Sequence, residues 1–152
     1  NVNDAPTGTD NTVPVLEEGV YTFAASDFGY NDSGDTPPDN FQSVVITTLP
    51  VSGTLRLSGV AITAGQEISF ANIGNITYTP PVNASGNGYA SFTFQVRDDG
   101  GTANGGVDLD PVANTMTIDV TPVNDAPDGT NTTVSTNEDT QYTFTTANFG
   151  FT

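Results

Sequence analysis

The stretch that decides the architecture is Val2-Asn3-Asp4-Ala5-Pro6, because the chain writes it again at Val123-Asn124-Asp125-Ala126-Pro127. Laying residues 2–31 on 123–152, a shift of 121 without gaps, makes 15 of 30 positions identical. Among them are Gly8/Gly129, Val13/Val134, Glu17/Glu138, Tyr21/Tyr142, Phe23/Phe144, Phe28/Phe149 and Gly29/Gly150. A shared bias toward Thr, Asn and Gly does not give half identity over such a span, and a fixed period marks a tandem array. The expected organisation is a linker over 1–11, one repeat over 12–121, a second linker over 122–130, and the truncated first two strands of the next repeat over 131–152.

Between the two linkers the chain reads as short strands. Thr12–Leu16 and Val20–Ala24 flank the turn Glu17-Glu18-Gly19. Tyr21 and Phe23 alternate with Thr22 and Ala24, the period of two expected of a half-buried strand. Phe41–Thr48, a hairpin over 53–62, Glu67–Phe70 and Asn75–Thr79 follow, with one helical turn expected at Ala71–Gly74. The clearest strand is Tyr89–Arg97, YASFTFQVR, with Ala90, Phe92, Phe94 and Val96 on one face. In Asn114–Thr121 the residues Met116, Ile118 and Val120 share an inward face. No stretch holds the 3.6-residue period of an amphipathic helix. Seven or more short strands with turn signals between them indicate an antiparallel β-sandwich.

Two loops interrupt the strands, SDFGYNDSGDTPPDN at 26–40 and a Gly-rich acidic stretch at 98–111. Eighteen acids face only Arg56 and Arg97, a net charge of −16. Such a surface repels phosphate backbones, which argues against nucleic-acid binding. The acids are 14 Asp against 4 Glu and sit beside Gly and Asn. A solvated acidic surface, as in a secreted or halophilic protein, accounts for the net charge. Short carboxylates in Gly/Asn loops suit oxygen cages for Ca²⁺ and account for the excess of Asp as well. For Asp108 and Asp110 the plain solvated turn is the favoured reading.

The absences prune further. Without Cys there is no disulfide and no thiolate zinc site; without His the usual general base is missing; without Lys there is no Schiff base and no Lys–Asn isopeptide crosslink. No run approaches the roughly 20 apolar residues of a membrane-spanning helix. These absences argue against an enzyme and against membrane insertion.

Three stretches, Phe94–Gly101 (FQVRDDGG), Thr117–Pro127 (TIDVTPVNDAP) and Gly53–Thr79, resemble cadherin-type domains, and above all the cadherin-like tandem repeats of large bacterial surface adhesins. The resemblance implies an all-β, Ig-like or cadherin-like antiparallel Greek-key β-sandwich of about seven strands, on the bacterial cell surface. It also implies Ca²⁺ at the junctions between repeats. The upstream junction would draw on Asn3 and Asp4 of the linker, on Asp27, Asp32 or Asp35 of the first acidic loop and on Asp98 or Asp99 of the second; the downstream one on Glu17 or Glu18, then Asn124 and Asp125. The acidic triplet that cadherins place before the penultimate strand falls here at Asn83-Ala84-Ser85, which removes two carboxylates from the downstream set.

Three non-catalytic functions follow. The first is a structural spacer of an extracellular stalk, stiffened by Ca²⁺ and touching neighbouring repeats of the same chain. The second is strand exchange through 131–148 into a homo-oligomer, since a two-stranded piece alone is marginal in water. The third is a module recognising a glycan or protein through its loops, with Tyr30 and Phe41 as the candidate contact rings.

Overall fold

The computed structural model describes residues 2–150. The chain divides into two compact units, Asn1–Pro122 and Val123–Thr152.

In the first unit the alternating segments become nine strands among the described residues. They are β1 (Asn11–Leu16), β2 (Tyr21–Thr22), β3 (Phe41–Ile46), β4 (Thr54–Leu57), β5 (Val60–Ala61), β6 (Gln66–Ser69), β7 (Ile76–Thr79), β8 (Gly86–Asp98) and β9 (Asn114–Thr121). One sheet has the order β1-β9-β8-β3-β6 and the other β2-β7-β4-β5. The chain crosses between the sheets repeatedly, as in an immunoglobulin-like sandwich. One pairing departs from the antiparallel expectation: β1 runs parallel to β9, from Asn11 opposite Met116 to Leu16 opposite Thr121. The strand expected at Val20–Ala24 shortens to two residues that pair only with β7. The expected helical turn is a 3₁₀ segment over Phe70–Asn75.

The period-two pattern decides what is buried. Ala90, Phe92, Phe94 and Val96 of β8 and Met116, Ile118 and Val120 of β9 face Leu55, Ile76 and Tyr78 of the other sheet. Phe23 and Phe28 close the core with edge-on contacts, Phe23 to Phe92 at 5.6 Å and Phe28 to Phe94 at 4.9 Å between ring centroids. Edge-to-face pairs of this kind add to the burial of apolar area. Buried Tyr78 satisfies its hydroxyl by donating to the Ser52 carbonyl at 3.0 Å.

Register also defines two poles. Leu16 pairs with Thr121 and Gly86 with Val120, so the β1–β2 turn and the start of β8 share one end of the sandwich. Asp98 ends β8 at the other, where it pairs with Phe41 at the start of β3. Residues 2–10, expected as linker, belong to the first unit as a strap at this second pole. Thr7 bridges Asn31 through two backbone hydrogen bonds of 2.8 Å. The Gly8 N–H donates to Asp110 Oδ2 at 2.7 Å and Pro6 is buried.

The second unit contains no strand among its described residues, so the two strands expected over 131–148 are not formed. It has a turn at Glu138–Asp139 and a 3₁₀ segment, Thr146–Phe149, ended by Gly150 in the left-handed region. Residues 151–152 of the expected repeat lie outside the described residues.

Candidate metal centre

The inward face of β8 runs Ala90, Phe92, Phe94, Val96 and then Asp98, so the apolar alternation ends in a carboxylate that is only 1% exposed. The register that builds the core therefore plants a charge at its edge. The loop between β2 and β3 folds over the same pole and brings Asp32, Asp35 and Asp39 together, with one oxygen of each within 4.8 Å of the others. Asp32 is 5% exposed and Asp35 4%. Asn3 of the strap completes the group. Its Nδ2 donates to Asp98 Oδ1 at 3.0 Å, to the Gly101 carbonyl at 3.1 Å and to the Val107 carbonyl at 2.8 Å. Three acceptors around one nitrogen fix which end of the amide is oxygen.

The cluster is short of donors. Asn3 Oδ1, Asp32 Oδ1 and Asp98 Oδ2 are all buried without a hydrogen-bond partner. Buried polar atoms are almost always satisfied, so three such oxygens at one pole call for a donor or a cation. A Cβ on Gly100 would collide with both Asn3 Oδ1 and Asp39 Oδ2, which shows that these two oxygens converge on one point. They line an open cleft of about 240 Å³ together with Asp35, Thr36, Pro37 and Gly100. Neither arginine enters it. Arg97 points to the outer face and pairs with Glu67 at 3.0 Å and Asp108 at 2.7 Å, while Arg56 donates to the Gly59 carbonyl.

The electrostatics follow from this arrangement. Burial, opposed in part by the Gly100 N–H and Asn3, raises Asp98 above the usual carboxylate range, and Asp32 and Asp39 add to the rise. Desolvation and then Asp35, Asp32 and Asp99 raise Asp39. An all-oxygen cage of carboxylates and an amide matches the ligand preference of Ca²⁺, which takes six to eight hard oxygens. The residues present fit that ion.

Around the cluster, aromatic residues set its shape. The Tyr30 hydroxyl donates to the Asp39 carbonyl at 2.8 Å, and the Asp39 N–H donates to Asp32 Oδ2, so the Asp39 peptide is held from both sides. Tyr30 stacks on Phe41 with centroids 4.7 Å apart and planes 9° from parallel, and Phe70 meets Phe41 edge-on. The two rings expected to be free for recognition thus cover each other. Burial first, then Asp32 and its acidic neighbours, pushes the Tyr30 phenol up.

The expected ligands divide. Asn3, Asp32, Asp35 and Asp98 meet in the cluster. Asp4 sits at its border, donating its backbone N–H to Asp35 Oδ2 at 2.8 Å. Asp99 is committed elsewhere: both its oxygens accept from Asn40, at 2.7 and 3.1 Å, which lowers it below the usual range. Asp27 closes the 3₁₀ segment Ala25–Phe28 by accepting from the Ala24 N–H at 2.9 Å and from the Tyr21 hydroxyl at 3.1 Å. Glu17 and Glu18 lie at the opposite pole, where the Glu17 N–H donates to the Thr121 carbonyl. Asn124 and Asp125 belong to the second unit.

Two readings of the acidic loops change. Asp110 is not a solvated turn residue; it is 3% exposed and accepts from Gly8 N, Val112 N and Asn114 Nδ2. Asp108 is paired with Arg97. Asp39 is the member that sequence reasoning missed; its position in the already suspected loop 26–40, just after Pro37-Pro38, was the available signal.

A sandwich with crossing connections, a parallel first-to-last strand pair and loops gathered at the poles defines an immunoglobulin-like domain. The chain belongs to the bacterial Ig domain family, whose model matches residues 3–110. No curated protein and no solved structure matches it. No helix among the described residues is long and apolar enough to cross a membrane.

Proposed function

We propose that this chain is a non-catalytic, Ca²⁺-binding spacer repeat from the extracellular stalk of a cadherin-like bacterial adhesin. The observation that carries the ion is the set of three buried, unpartnered oxygens on Asn3, Asp32 and Asp98 in a cluster that no Arg enters. Family membership and the internal repeat support the spacer role, because Ig-like repeats act by stacking along a chain and each buries its own core. Extracellular Ca²⁺ is millimolar, so modest affinity suffices.

The clustered ligands come from residues 3–98 of one unit and include four of those expected at the upstream junction, so the ion would stiffen the repeat at its N-terminal pole.

The test is a thermal melt of the full chain in millimolar Ca²⁺ and in EGTA, with Asp98→Asn and Asp32→Asn beside wild type. With free ion a hundredfold above Kd, the folded state gains about 2.7 kcal/mol. For a domain of this size that is a rise in Tm on the order of 10 °C. Both variants should lose the rise. Equal melts of wild type in Ca²⁺ and EGTA would mean that the acids serve only as surface charge.

A second reading comes from the second unit, where Phe144 is 60% and Phe149 61% exposed. The rings that correspond to Phe23 and Phe28 stand uncovered, which favours strand exchange through 131–148 into a neighbouring molecule. Sedimentation over a range of concentrations tests it: a monomer throughout rules exchange out.

A further inference from the structure

We infer that the β5 flank of the sandwich is a contact surface for a second copy of this chain, so that two repeats pair side by side across a two-fold axis. The contact involves neither the metal cluster nor residues 131–148.

Register exposes one side chain that belongs to a core face. In the β4–β5 hairpin Leu57 lies opposite Val60 and Arg56 opposite Ala61. Residues opposite each other share a side of the sheet, so Val60 is on the side of Leu55, Leu57 and Ile62. Leu55 and Ile62 are buried there, yet Val60, on the edge strand, is 72% exposed. Beside it Leu49, Pro50, Leu55, Ala61 and Ile62 help to line an apolar notch of about 150 Å³. An uncovered valine next to such a notch suits a two-fold contact, in which each copy offers both halves. The backbone fits the same pairing. The Ile62 N–H donates to the Leu55 carbonyl at 3.1 Å, so the alternating ladder turns the polar groups of Ala61 away from β4. The open edge stops there, because the Thr63 N–H donates to Gln66 Oε1 at 3.0 Å and its carbonyl accepts from the Gln66 N–H at 3.1 Å. Two Ala61 residues exchanging N–H···O=C bonds would place each Val60 opposite Ile62 of the other copy, a wall of the notch. So short an edge closes as a pair and does not template a fibre.

Charge decides the partner. Between Asp39 and Asp98 the only acid in the sequence is Glu67, while both arginines fall in that span. Glu67 is paired with Arg97 at 3.0 Å, and the strands of the β2-β7-β4-β5 sheet carry no acid. A chain of net charge −16 repels its own copy over its acidic surface. Meeting through β5, two copies touch where that charge is absent. An anionic polymer fits this flank less well, because it would find Arg56 alone, already donating to the Gly59 carbonyl at 2.9 Å.

The experiment is sedimentation equilibrium of the full chain, wild type and Val60→Asp, at about 0.01 M and about 1 M salt, between which the Debye length falls from about 30 to about 3 Å. Wild type should dimerise, and about tenfold more tightly at the higher salt, as repulsion between the copies is screened. Val60→Asp should melt as wild type does and dimerise about tenfold more weakly, since it sets a carboxylate into the contact. The chain has no cysteine, so single thiols report the pairing directly. Residues opposite each other in a hydrogen-bonded antiparallel pair have Cα atoms about 5.5 Å apart, within disulfide reach. Ala61→Cys should therefore crosslink in an oxidising buffer, whereas Val112→Cys, at a valine 66% exposed beside Asp110, should not. Wild type that stays monomeric at both salts overturns the pair. A dimer that Val60→Asp leaves intact is formed by another surface and overturns this one, as does Ala61→Cys crosslinking no faster than Val112→Cys.

Discussion

Residues 2–29 and 123–150 are nearly a controlled comparison: half-identical sequences, one inside a sandwich and one without it. What both copies keep is local. Glu18 and Asp139 sit at the same turn with φ of 61° and 57°. Both 3₁₀ segments end in a glycine in the left-handed region, Gly29 and Gly150. The ring contacts repeat too: Tyr21–Phe23 at 4.9 Å and 76°, Tyr142–Phe144 at 5.1 Å and 72°. What the second copy lacks, among its described residues, is every strand. β1 exists because β9, about a hundred residues later, lies beside it, and β2 because β7 does. Turns and caps are thus written within a few residues, while strands depend on distant partners.

The sharpest way to break this comparison is to remove one ring from each copy. Phe28 is fully buried and Phe149 is 61% exposed. Phe28→Ala should cost about 3–5 kcal/mol, the usual toll of a phenyl-sized cavity. Phe149→Ala should stay within about 0.5 kcal/mol. Urea unfolding of the two full-length variants measures both. Equal losses would mean that the second copy is covered after all.

A smaller effect separates the two straps. The Gly8 N–H donates to buried Asp110 at 2.7 Å, whereas the Gly129 N–H donates to exposed Asp128 at 2.8 Å. Asp110→Ala takes a buried acceptor from three partly buried hydrogen bonds, those of Gly8, Val112 and Asn114, and should cost about 2 kcal/mol. In Asp128→Ala water replaces the carboxylate, and chemical denaturation should not distinguish the variant from wild type. A neutral Asp110→Ala would return residues 2–10 to the status of a linker.

The same division explains what was legible beforehand. The sandwich could be read because alternation in 89–97 and 114–121 is a period-two signal, and the buried faces match it residue by residue. The parallel β1–β9 pairing could not, since alternation gives the face of a strand but never its neighbour. Most of the cluster was legible as acidic loops, yet membership was not. Asp27 and Asp99 look like Asp32 and Asp98 in sequence, and only the fold shows that Asp27 Oδ2 accepts from Ala24 and Tyr21 and that both oxygens of Asp99 accept from Asn40. Asp110 was misjudged for the same reason: its donors lie on the strap and beside β9, and composition does not reveal them.

Asp27 gives the finest test, because the second copy has already replaced it. There Asn148 Oδ1 accepts from the Thr145 N–H at 2.7 Å and Nδ2 donates to the Tyr142 hydroxyl at 3.1 Å. The contact with the tyrosine survives with its donor reversed. Asp27→Asn should therefore keep the 3₁₀ segment, change stability at neutral pH by less than about 0.5 kcal/mol, and leave Ca²⁺ affinity untouched. Its signature should appear in alkali. Burial, then the hydrogen bond and charge of Asp27, raise Tyr21 from 10.0 to about 12. Because the folded value lies above the unfolded one, the stabilisation is complete below pH 10 and fades as pH rises toward 12. The variant removes the two contributions that belong to Asp27, so absorbance titration should show Tyr21 ionising at lower pH. If Asp27→Asn instead weakened Ca²⁺ binding, Asp27 would be a ligand, and the 3₁₀ segments of the two copies would not be equivalent.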